Sequence, residues 1–401
     1  MMSPQSRHSL AIRLAAGLAG YCTFINLYSP QAILPLLSTE FSAGPAEVAS
    51  VMTVGTLAVA LMAPFSGTAA DVIGRKRVIV MAMFVLAIPT FMAALAPTLH
   101  ALIVWRFLQG LAMPPIFAVM IAYVGEELTP QEATATIGFY TSGASIGGFS
   151  GRLLTGIFAD VFGWRYGFAF LGTLVLFGAV TVAFLLPRER KFVRSEGLIA
   201  SATQMLRHFR NPQLLATYSV GFGVLFNFLV TFTYINFRLA HPPYSLSPGW
   251  LGAIFIVYLA GSLITPWTGA AVGRFGRRHV MIATLSIWIG GIALTLLDPL
   301  WTILLGLAMS AACGLLCQAV STGYVAITAQ VGRSSAVGLY VTCYNLGGSA
   351  GAALGGFAWV FGGWPACVAM VILVIVIMAI IVATTWSRGS SAPQAPAIEP
   401  A

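Results

Sequence analysis

Residues 142–156 read SGASIGGFSGRLLTG, an apolar, glycine-rich stretch that carries one full charge, at Arg152. Its glycines, and a tryptophan that follows, recur at an offset of 200 residues. The matching pairs are Gly138 and Gly338, Gly147 and Gly347, Gly148 and Gly348, Gly151 and Gly351, Gly156 and Gly356, Gly163 and Gly363, and Trp164 and Trp364. A second match, at an offset of 202, links GTAADVIGRKR from Gly67 with GAAVGRFGRRH from Gly269. Repeats of this kind predict two duplicated halves.

The composition predicts a membrane protein, since 58% of the 401 residues are hydrophobic and only 8% are charged. Runs long enough to cross a hydrocarbon layer of roughly 30 Å follow one another along the chain. No alternation of period two accompanies them, which favours helices over a β-barrel. The predicted spans are 14–37, 46–66, 78–97, 100–123, 133–158, 164–186, 213–237, 250–270, 279–297, 300–325, 335–357 and 364–386. The predicted fold class is an all-α polytopic membrane protein, with twelve transmembrane helices in two pseudo-symmetric six-helix bundles.

The longest segment that cannot span, 187–212, is basic and divides six helices from six. We expect an N-terminal bundle at 1–186, a cytoplasmic linker at 187–212, a C-terminal bundle at 213–388 and a disordered cytoplasmic tail at 389–401. With the N-terminus inside, sixteen of the twenty Lys and Arg residues fall on the cytoplasmic side, as the positive-inside rule requires. Both termini are therefore expected in the cytoplasm of a bacterial inner-membrane protein. The net charge of +9 then reflects topology and needs no nucleic-acid partner.

Three motifs resemble those of the major facilitator superfamily. Gly67-x-x-x-Asp71-x-x-Gly74-Arg75-Lys76, between the second and third spans, resembles its signature loop, and Arg106-x-x-Gln109-Gly110 in the fourth span resembles its second motif. The glycines of the fifth span resemble its antiporter motif, with Gly148 where that motif has a proline. The resemblance implies a transporter that works by alternating access. It favours the drug:proton antiporter branch, of the acriflavine-sensitivity type, and implies proton coupling.

The same motifs suggest gating residues. Asp71 ends the second span at the face where the eleventh span begins, so its charge is expected to attract that helix N-terminus and latch the cytoplasmic side. The resemblance gives Arg75 a partner in Glu126 or Glu127. The alternative is that the basic residues serve only the orientation of the chain. The complete gating set is Gly67, Asp71, Gly74, Arg75, Lys76, Glu126, Glu127, Gly147, Gly148, Gly151 and Arg152.

In the family the cavity is lined by the first, fourth, seventh and tenth helices, which gives a candidate substrate-binding set. Its members are Asn26, Tyr28, Gln31, Arg106, Gln109, Asn227, Thr231, Tyr234, Gln318 and Tyr324. The alternative for each is an interhelical hydrogen bond. Arg106 is expected to face the central cavity, because an arginine that deep in a helix is costly against lipid. A positive cavity disfavours permanently cationic drugs and favours neutral or anionic solutes.

What the sequence lacks narrows the function further. Its eleven Asp and Glu lie in loops, tails or helix ends, so proton coupling is implied by the resemblance alone. The five cysteines fall within predicted helices and suggest neither a disulfide nor a metal site. A catalytic cluster and a phosphate-cradling loop are both missing, so neither an enzyme, nor a cofactor, nor ATP drive is expected. The prediction is a monomeric, proton-coupled exporter of small neutral or anionic compounds. The alternatives are a multidrug antiporter for cations, or a carrier for uptake or exchange of an organic anion.

Arg152 itself leaves two interpretations open. It lies about 28 Å along its helix from the cytoplasmic face, at 1.5 Å per residue, near the outer edge of the hydrocarbon. One interpretation is a side chain that snorkels to the surface and pairs with Asp160. The other starts from the lean of helical side chains toward the helix N-terminus, here over Gly148, which would place the charge inside the protein. We favour the second, with Arg152 as an outer gate charge or an attractor for anionic solute.

Overall fold

The structure, a computed structural model, describes residues 4–189, 208–264, 267–329 and 333–386. We number the spans α1 to α12. In the first half, α1 is Pro4–Leu27 followed by Ser29–Ile33 and Leu34–Glu40; α2 is Pro45–Val48 and Ser50–Ile73; α3 is Arg75–Ala94; α4 is Leu99–Ala112 and Pro114–Glu127; α5 is Pro130–Val161; and α6 is Trp164–Leu185.

The second half has the same arrangement. Here α7 is Pro212–Ala240; α8 is Pro248–Ala253, Ile254–Val257, Tyr258–Ile264 and Thr268–Phe275; α9 is Arg277–Leu294; α10 is Leu300–Thr328; and α11 and α12 share Arg333–Thr385, divided by the non-helical residues Gly362 and Gly363. The predicted fold class of twelve helices in two six-helix halves is confirmed. The linker and tail predictions fall mostly on 190–207 and 387–401, outside the described residues.

Eight described helices are long and apolar enough to cross a membrane by themselves. One of them, Ser335–Thr385, holds two spans. The others fall short for local reasons: α5 is diluted by glycine, serine and threonine, α8 is broken into short pieces, and α9 begins with Arg277, Arg278 and His279. Counting helices by their own hydropathy therefore underestimates the number of spans, because a helix that is covered by other helices can be less apolar.

The glycine rows hold the repeat together. A Cβ on Gly147 of α5 would collide with the backbone of Tyr21 in α1, and a Cβ on Gly347 of α11 would collide with the backbone of Phe222 in α7. The glycine one turn further along each row repeats the contact. Small residues let helix backbones approach closely in membranes. The crossing of α1 by α5 is thus reproduced by α7 and α11, which explains the shared glycine spacing.

The first piece of α1 ends early because of the sequence around Pro30. A 3-10 turn, Ser29–Ile33, interrupts the helix after Leu27 before the second piece begins. A proline has no backbone N–H and its ring clashes with the preceding turn, so regular hydrogen bonding fails there. The last carbonyls of the first piece are consequently left without helical partners.

The helix α5 begins with a capping box formed by Thr129 and Glu132. The Thr129 hydroxyl lies 2.9 Å from the Glu132 carboxylate, and each of the two side chains accepts a hydrogen bond from the backbone amide of the other residue. These bonds from the Thr129 side chain and amide lower the pKa of Glu132. The carboxylate is thus kept ionised beside the helix N-terminus, where a negative charge is favourable.

A contact between α1 and α7 shows which helix ends lie on the same side of the bundle. Gln31, near the end of α1, donates to the Thr233 hydroxyl near the end of α7 at 3.2 Å. The two helices therefore run in parallel, and the beginning of α1 lies at the same side as Pro212, where α7 begins. We call this side the linker end and the opposite side the far end.

The two halves pack against each other at the far end. Asp160 of α5 accepts hydrogen bonds from the Ser247 hydroxyl at 2.7 Å and from the Gly249 amide at 2.9 Å, both at the start of α8. One hydrophobic cluster joins the halves, and its members from the first half lie within 32–52, 93–102 and 164–168, all toward the far end. Residues of the first half toward the linker end form a cluster of their own.

The contacts between the halves are unevenly distributed along the bundle. Over the described ranges, each hydrogen bond between the halves joins residues in the far-end part or the middle of the spans. Among the described residues, the halves are therefore held together at the far end, which is closed.

Candidate functional site

Arg152 lies where α5 meets the second half, with only 2% of its surface exposed. Its Nε donates to Gln31 Oε1 at 2.7 Å, and its Nη1 donates to the carbonyl oxygen of Gly148 at 2.7 Å. The guanidinium lies directly over Gly148, since a Cβ built there would be 3.7 Å from Nη1, an ordinary contact distance. The side chain thus runs back along α5 and places its charge inside the protein.

Three aromatic rings surround this charge, and we call them the Arg152 cage. The guanidinium carbon lies 4.4 Å from the ring centre of Phe255, 4.7 Å from that of Tyr28 and 4.9 Å from that of Tyr258. An aromatic face attracts a cation at such distances through its quadrupole. Tyr28 belongs to the first half, whereas Phe255 and Tyr258 belong to α8. The two halves therefore surround one positive charge together.

The cage retains accessible surface despite its central position. Tyr28 and Tyr258 are half-buried, so part of each ring surface is uncovered. In the part of the chain that the structure describes, no carboxylate forms an ion pair with Arg152, and its Nη2 donates to no protein group. The site thus combines the positive edge of Arg152 with two tyrosine rings that are only partly covered.

Gln31 connects the cage to the second half. Its Oε1 accepts from Arg152, its Nε2 donates to Thr233, and its backbone oxygen accepts from Asn236 Nδ2 at 3.0 Å. The suggested pairing of Arg152 with Asp160 is not formed, because Asp160 binds the start of α8 instead.

A second buried arginine, Arg106 of α4, has different surroundings. None of its surface is exposed. Its Nη1 donates to the carbonyl of Asn26 at 2.9 Å and to Gln109 Oε1 at 2.5 Å, while Nη2 donates to the carbonyl of Leu27 at 2.5 Å. These carbonyls are the ones that the early end of α1 leaves free. Arg106 therefore caps the first piece of α1.

Two amides and one hydroxyl complete this cluster. Gln109 Nε2 donates to the Thr90 hydroxyl at 3.0 Å, and that hydroxyl lies 3.3 Å from Asn26 Oδ1. The expectation that Arg106 faces the central cavity does not describe this structure. The reason is that backbone carbonyls within its own half, freed by the break in α1, offer the guanidinium closer partners than the cavity does.

The predicted residues of α7 also point into their own half. Asn227 Nδ2 lies 3.6 Å from Met378 Sδ of α12, and the Tyr234 hydroxyl donates to the Ala352 carbonyl of α11 at 2.5 Å. Thr231 has no exposed surface. Asn227 and Tyr234 thus lie between helices of the second half, and neither of these contacts reaches the Arg152 cage.

On α10 the two predicted residues lie toward the linker end. Tyr324 stacks on Trp386 with ring centres 4.3 Å apart, and Gln318 is half-buried. Of the predicted substrate set, the structure thus brings Tyr28 and Gln31 to Arg152, and groups Asn26, Arg106 and Gln109 elsewhere. Their roles in binding remain predictions.

The predicted gating loop forms an ion-pair cluster at the linker end. Arg75 is buried and binds both carboxylate oxygens of Glu126, and its Nη2 lies 3.3 Å from Asp71. Gly74 has a φ of 102°, a conformation that favours glycine. Gly67 lies on α2 one turn before Asp71, where a Cβ would meet no atom within 4 Å.

Another carboxylate meets the same loop. Glu189, just after α6, lies against Gly74 and within 3.4 Å of the Lys76 amide at the start of α3. It holds the position where an anion is favourable beside a helix N-terminus. Glu127 follows Glu126 at the end of α4 and is half-buried. The latch between Asp71 and α11 remains a prediction.

Sequence reasoning missed Phe255, Tyr258 and Thr90. All three lie in ordinary apolar spans, where single aromatic or hydroxyl residues are common. No pattern in the sequence singles these three residues out.

Two parallel six-helix halves that close around a central site define a polytopic membrane transporter rather than an enzyme. The model of the Major Facilitator Superfamily matches residues 16–264 and 243–400. The chain belongs to this superfamily.

Relatives agree with this assignment. The inner membrane transport protein YnfM of Escherichia coli K12 is 33% identical over 383 residues, covering 94% of this chain and 91% of that protein. An uncharacterized transporter of Buchnera aphidicola subsp. Schizaphis graminum is 29% identical over 366 residues, covering 91% of this chain and 89% of its own length.

Solved structures share the fold. The crystal structure of the nucleoside transporter NupG is 17% identical with a TM-score of 0.76, covering 94% of this chain and 100% of that one. A bacterial homolog of the human lysosomal transporter Spinster, inward-facing and occupied, is 16% identical with a TM-score of 0.74, covering 97% and 100%.

Proposed function

We propose that this transporter moves a small neutral or anionic organic solute across a bacterial inner membrane, and that Arg152 attracts the negative charge of an anionic one. The observation that carries the proposal is a nearly buried arginine, held between the two halves, with no carboxylate partner among the described residues. A charge in such a place is costly and is typical of a substrate or ion pathway.

The chemistry of the site favours a planar anion. The Nη2 atom of Arg152 lies at the edge of the guanidinium and donates to no described group, so it is able to bind a carboxylate oxygen. The tyrosine rings beside it suit an apolar or aromatic body. A permanent cation would meet the positive charge of Arg152 at close range, which disfavours the multidrug alternative.

For direction and coupling, export in exchange for protons is the form we propose. Its support is the glycine row of α5, which resembles the antiporter motif. We take the linker end to be cytoplasmic, because the basic residues between α2 and α3 and between α8 and α9 lie there. Solute would then enter from the cytoplasm while the far end is closed, and the Asp71 latch would act when the linker end closes.

Transport into proteoliposomes tests the proposal. Purified protein is given an imposed pH gradient and a panel of labelled benzoate, succinate, glucose and tetraphenylphosphonium. We expect benzoate, succinate or glucose to move with the gradient, and the anions to lose transport in Arg152→Gln, which removes the charge but keeps a polar side chain. Movement of the tetraphenylphosphonium cation alone would refute the charge argument.

A further inference from the structure

The rings of the Arg152 cage differ in how they are attached. Tyr28 lies at the break in α1, in the same half as Arg152, whereas Phe255 and Tyr258 lie on α8. Alternating access requires the halves to rotate apart at the far end. In that movement Phe255 and Tyr258 must leave the guanidinium, while Tyr28 stays with it.

Closing the far end therefore buries a positive charge, and a buried charge needs compensation. Here the protein supplies it. Gln31 and Gly148 accept two hydrogen bonds, and the two rings of α8 arrive with the closure itself, at 4.4 and 4.9 Å. Closure is thus possible without a solute carboxylate as the counter-charge.

The geometry points to Phe255 and Tyr258 as the residues that allow the carrier to close its far end without bound solute. They make net transport possible, in contrast to obligatory one-for-one exchange. A carrier whose arginine could be buried only with an anion would have to carry an anion on every crossing. This inference rests on the proposed function in taking the solute to be an anion that reaches Arg152.

The second half positions these two rings independently of the arginine. Phe232 of α7 packs against both, with ring centres 5.9 Å from Phe255 and 4.6 Å from Tyr258. Phe232 itself does not lie over the guanidinium. It therefore provides a matched control, because its replacement disturbs the same aromatic packing without removing a ring from the cage.

The first test measures the far end with no solute added. Spin labels are placed at His100 and Leu297, exposed positions at the far end in different halves, after Cys343, the least buried native cysteine, is replaced by serine. Phe255→Leu and Tyr258→Leu are expected to raise the ratio of open to closed far ends, each roughly five- to tenfold, from the loss of one desolvated cation–π contact. Phe232→Leu and Tyr258→Phe, which keeps the ring, should stay near the wild-type ratio.

A double-mutant cycle shows whether the effect acts through the charge. In an Arg152→Met background, Phe255→Leu and Tyr258→Leu should change the ratio by less than about twofold, because no cation remains to be caged. An equal shift in both backgrounds, or no shift in either variant, would overturn the inference. Two variants guard against one failing to fold, since Phe255 is buried and Tyr258 is half-buried.

The second test uses labelled benzoate in proteoliposomes. Phe255→Leu and Tyr258→Leu should lower net flux roughly five- to tenfold, while exchange, with benzoate on both sides, changes less than about twofold. An equal loss of both activities would count against the inference. If the wild type carries neither benzoate nor succinate, the proposed anion transport fails, and the spin-label ratios still decide the role of the cage.

Discussion

Arg106 and Arg152 are both buried arginines in the first half, yet the groups that surround them differ. Arg106 donates to two backbone carbonyls and an amide of its own half, and none of its surface is exposed. Arg152 meets rings from both halves and keeps one edge without a protein partner among the described residues. Burial alone therefore does not distinguish a charge that caps a helix from a charge that contacts both halves. The two arginines differ in whether the groups that contact each one belong to a single half, and so move together with it.

The strongest test places an arginine where the repeat has none. Ala352 is the equivalent of Arg152 in α11, with no exposed surface and a carbonyl that binds Tyr234. Ala352→Arg should prevent folding, because the glycine packing of α11 on α7 leaves neither space nor acceptors for the charge. Size-exclusion profiles of the detergent-solubilised protein measure this, with Ala352→Ser as the small control. A monodisperse Ala352→Arg protein would show that any position of the repeat tolerates such a charge.

Arg106→Lys should have the next largest effect, chiefly on stability. A lysine cannot reach both carbonyls and Gln109 with a planar fork, so at least one buried acceptor loses its partner. We expect a loss of about 2–4 kcal/mol, read from thermal unfolding in detergent. Transport should fall in parallel with the amount of folded protein. Unchanged stability with abolished transport would instead restore the cavity role that the sequence suggested.

Arg152→Ala should give the opposite pattern. Transport of an anionic solute should fall at least about tenfold, the size of one charge-assisted interaction. Stability should change by less than about 1 kcal/mol, because removing the desolvation cost of a buried charge offsets the lost hydrogen bonds and ring contacts. Arg165→Ala is the matched control, because Arg165 is a half-exposed far-end arginine paired with Glu40. Normal transport in Arg152→Ala would show that the charge of Arg152 is not needed for transport.

The smallest effect is expected at the linker end. Asp71→Asn removes a carboxylate that is partly exposed and pairs with Arg75 at 3.3 Å, so folding should survive with a change below about 1 kcal/mol. The population should shift about two- to fivefold toward a linker end that is open. Labelling of cysteines introduced at Gly67 in α2 and at Val337 in α11 measures the shift. Equal labelling with and without the Asp71→Asn substitution would exclude the latch.

The fold was largely predictable because its signals are local. Composition and run length indicate helices that cross a membrane, and the glycine spacing around Gly147 and Gly347 indicates two like halves. The ion-pair cluster of Arg75 could be anticipated as well, since its partner Glu126 ends a helix on the same face. Each of these depends on short-range pattern or on a duplicated segment.

The candidate site was only partly predictable. Arg152 could be placed over Gly148 from the geometry of a single helix. Its partners Phe255 and Tyr258 lie about a hundred residues away in the chain, in a span that no pattern distinguishes from other apolar helices.

The sequence by itself determined the number of helices, their division into two halves and the presence of two intramembrane arginines, because hydrophobic length and glycine spacing act within one helix or one helix pair. Only the tertiary structure decided which arginine caps a broken helix and which meets the second half. That choice depends on where backbone carbonyls become free and on which rings are brought together across the interface. Both are properties of packing between distant segments.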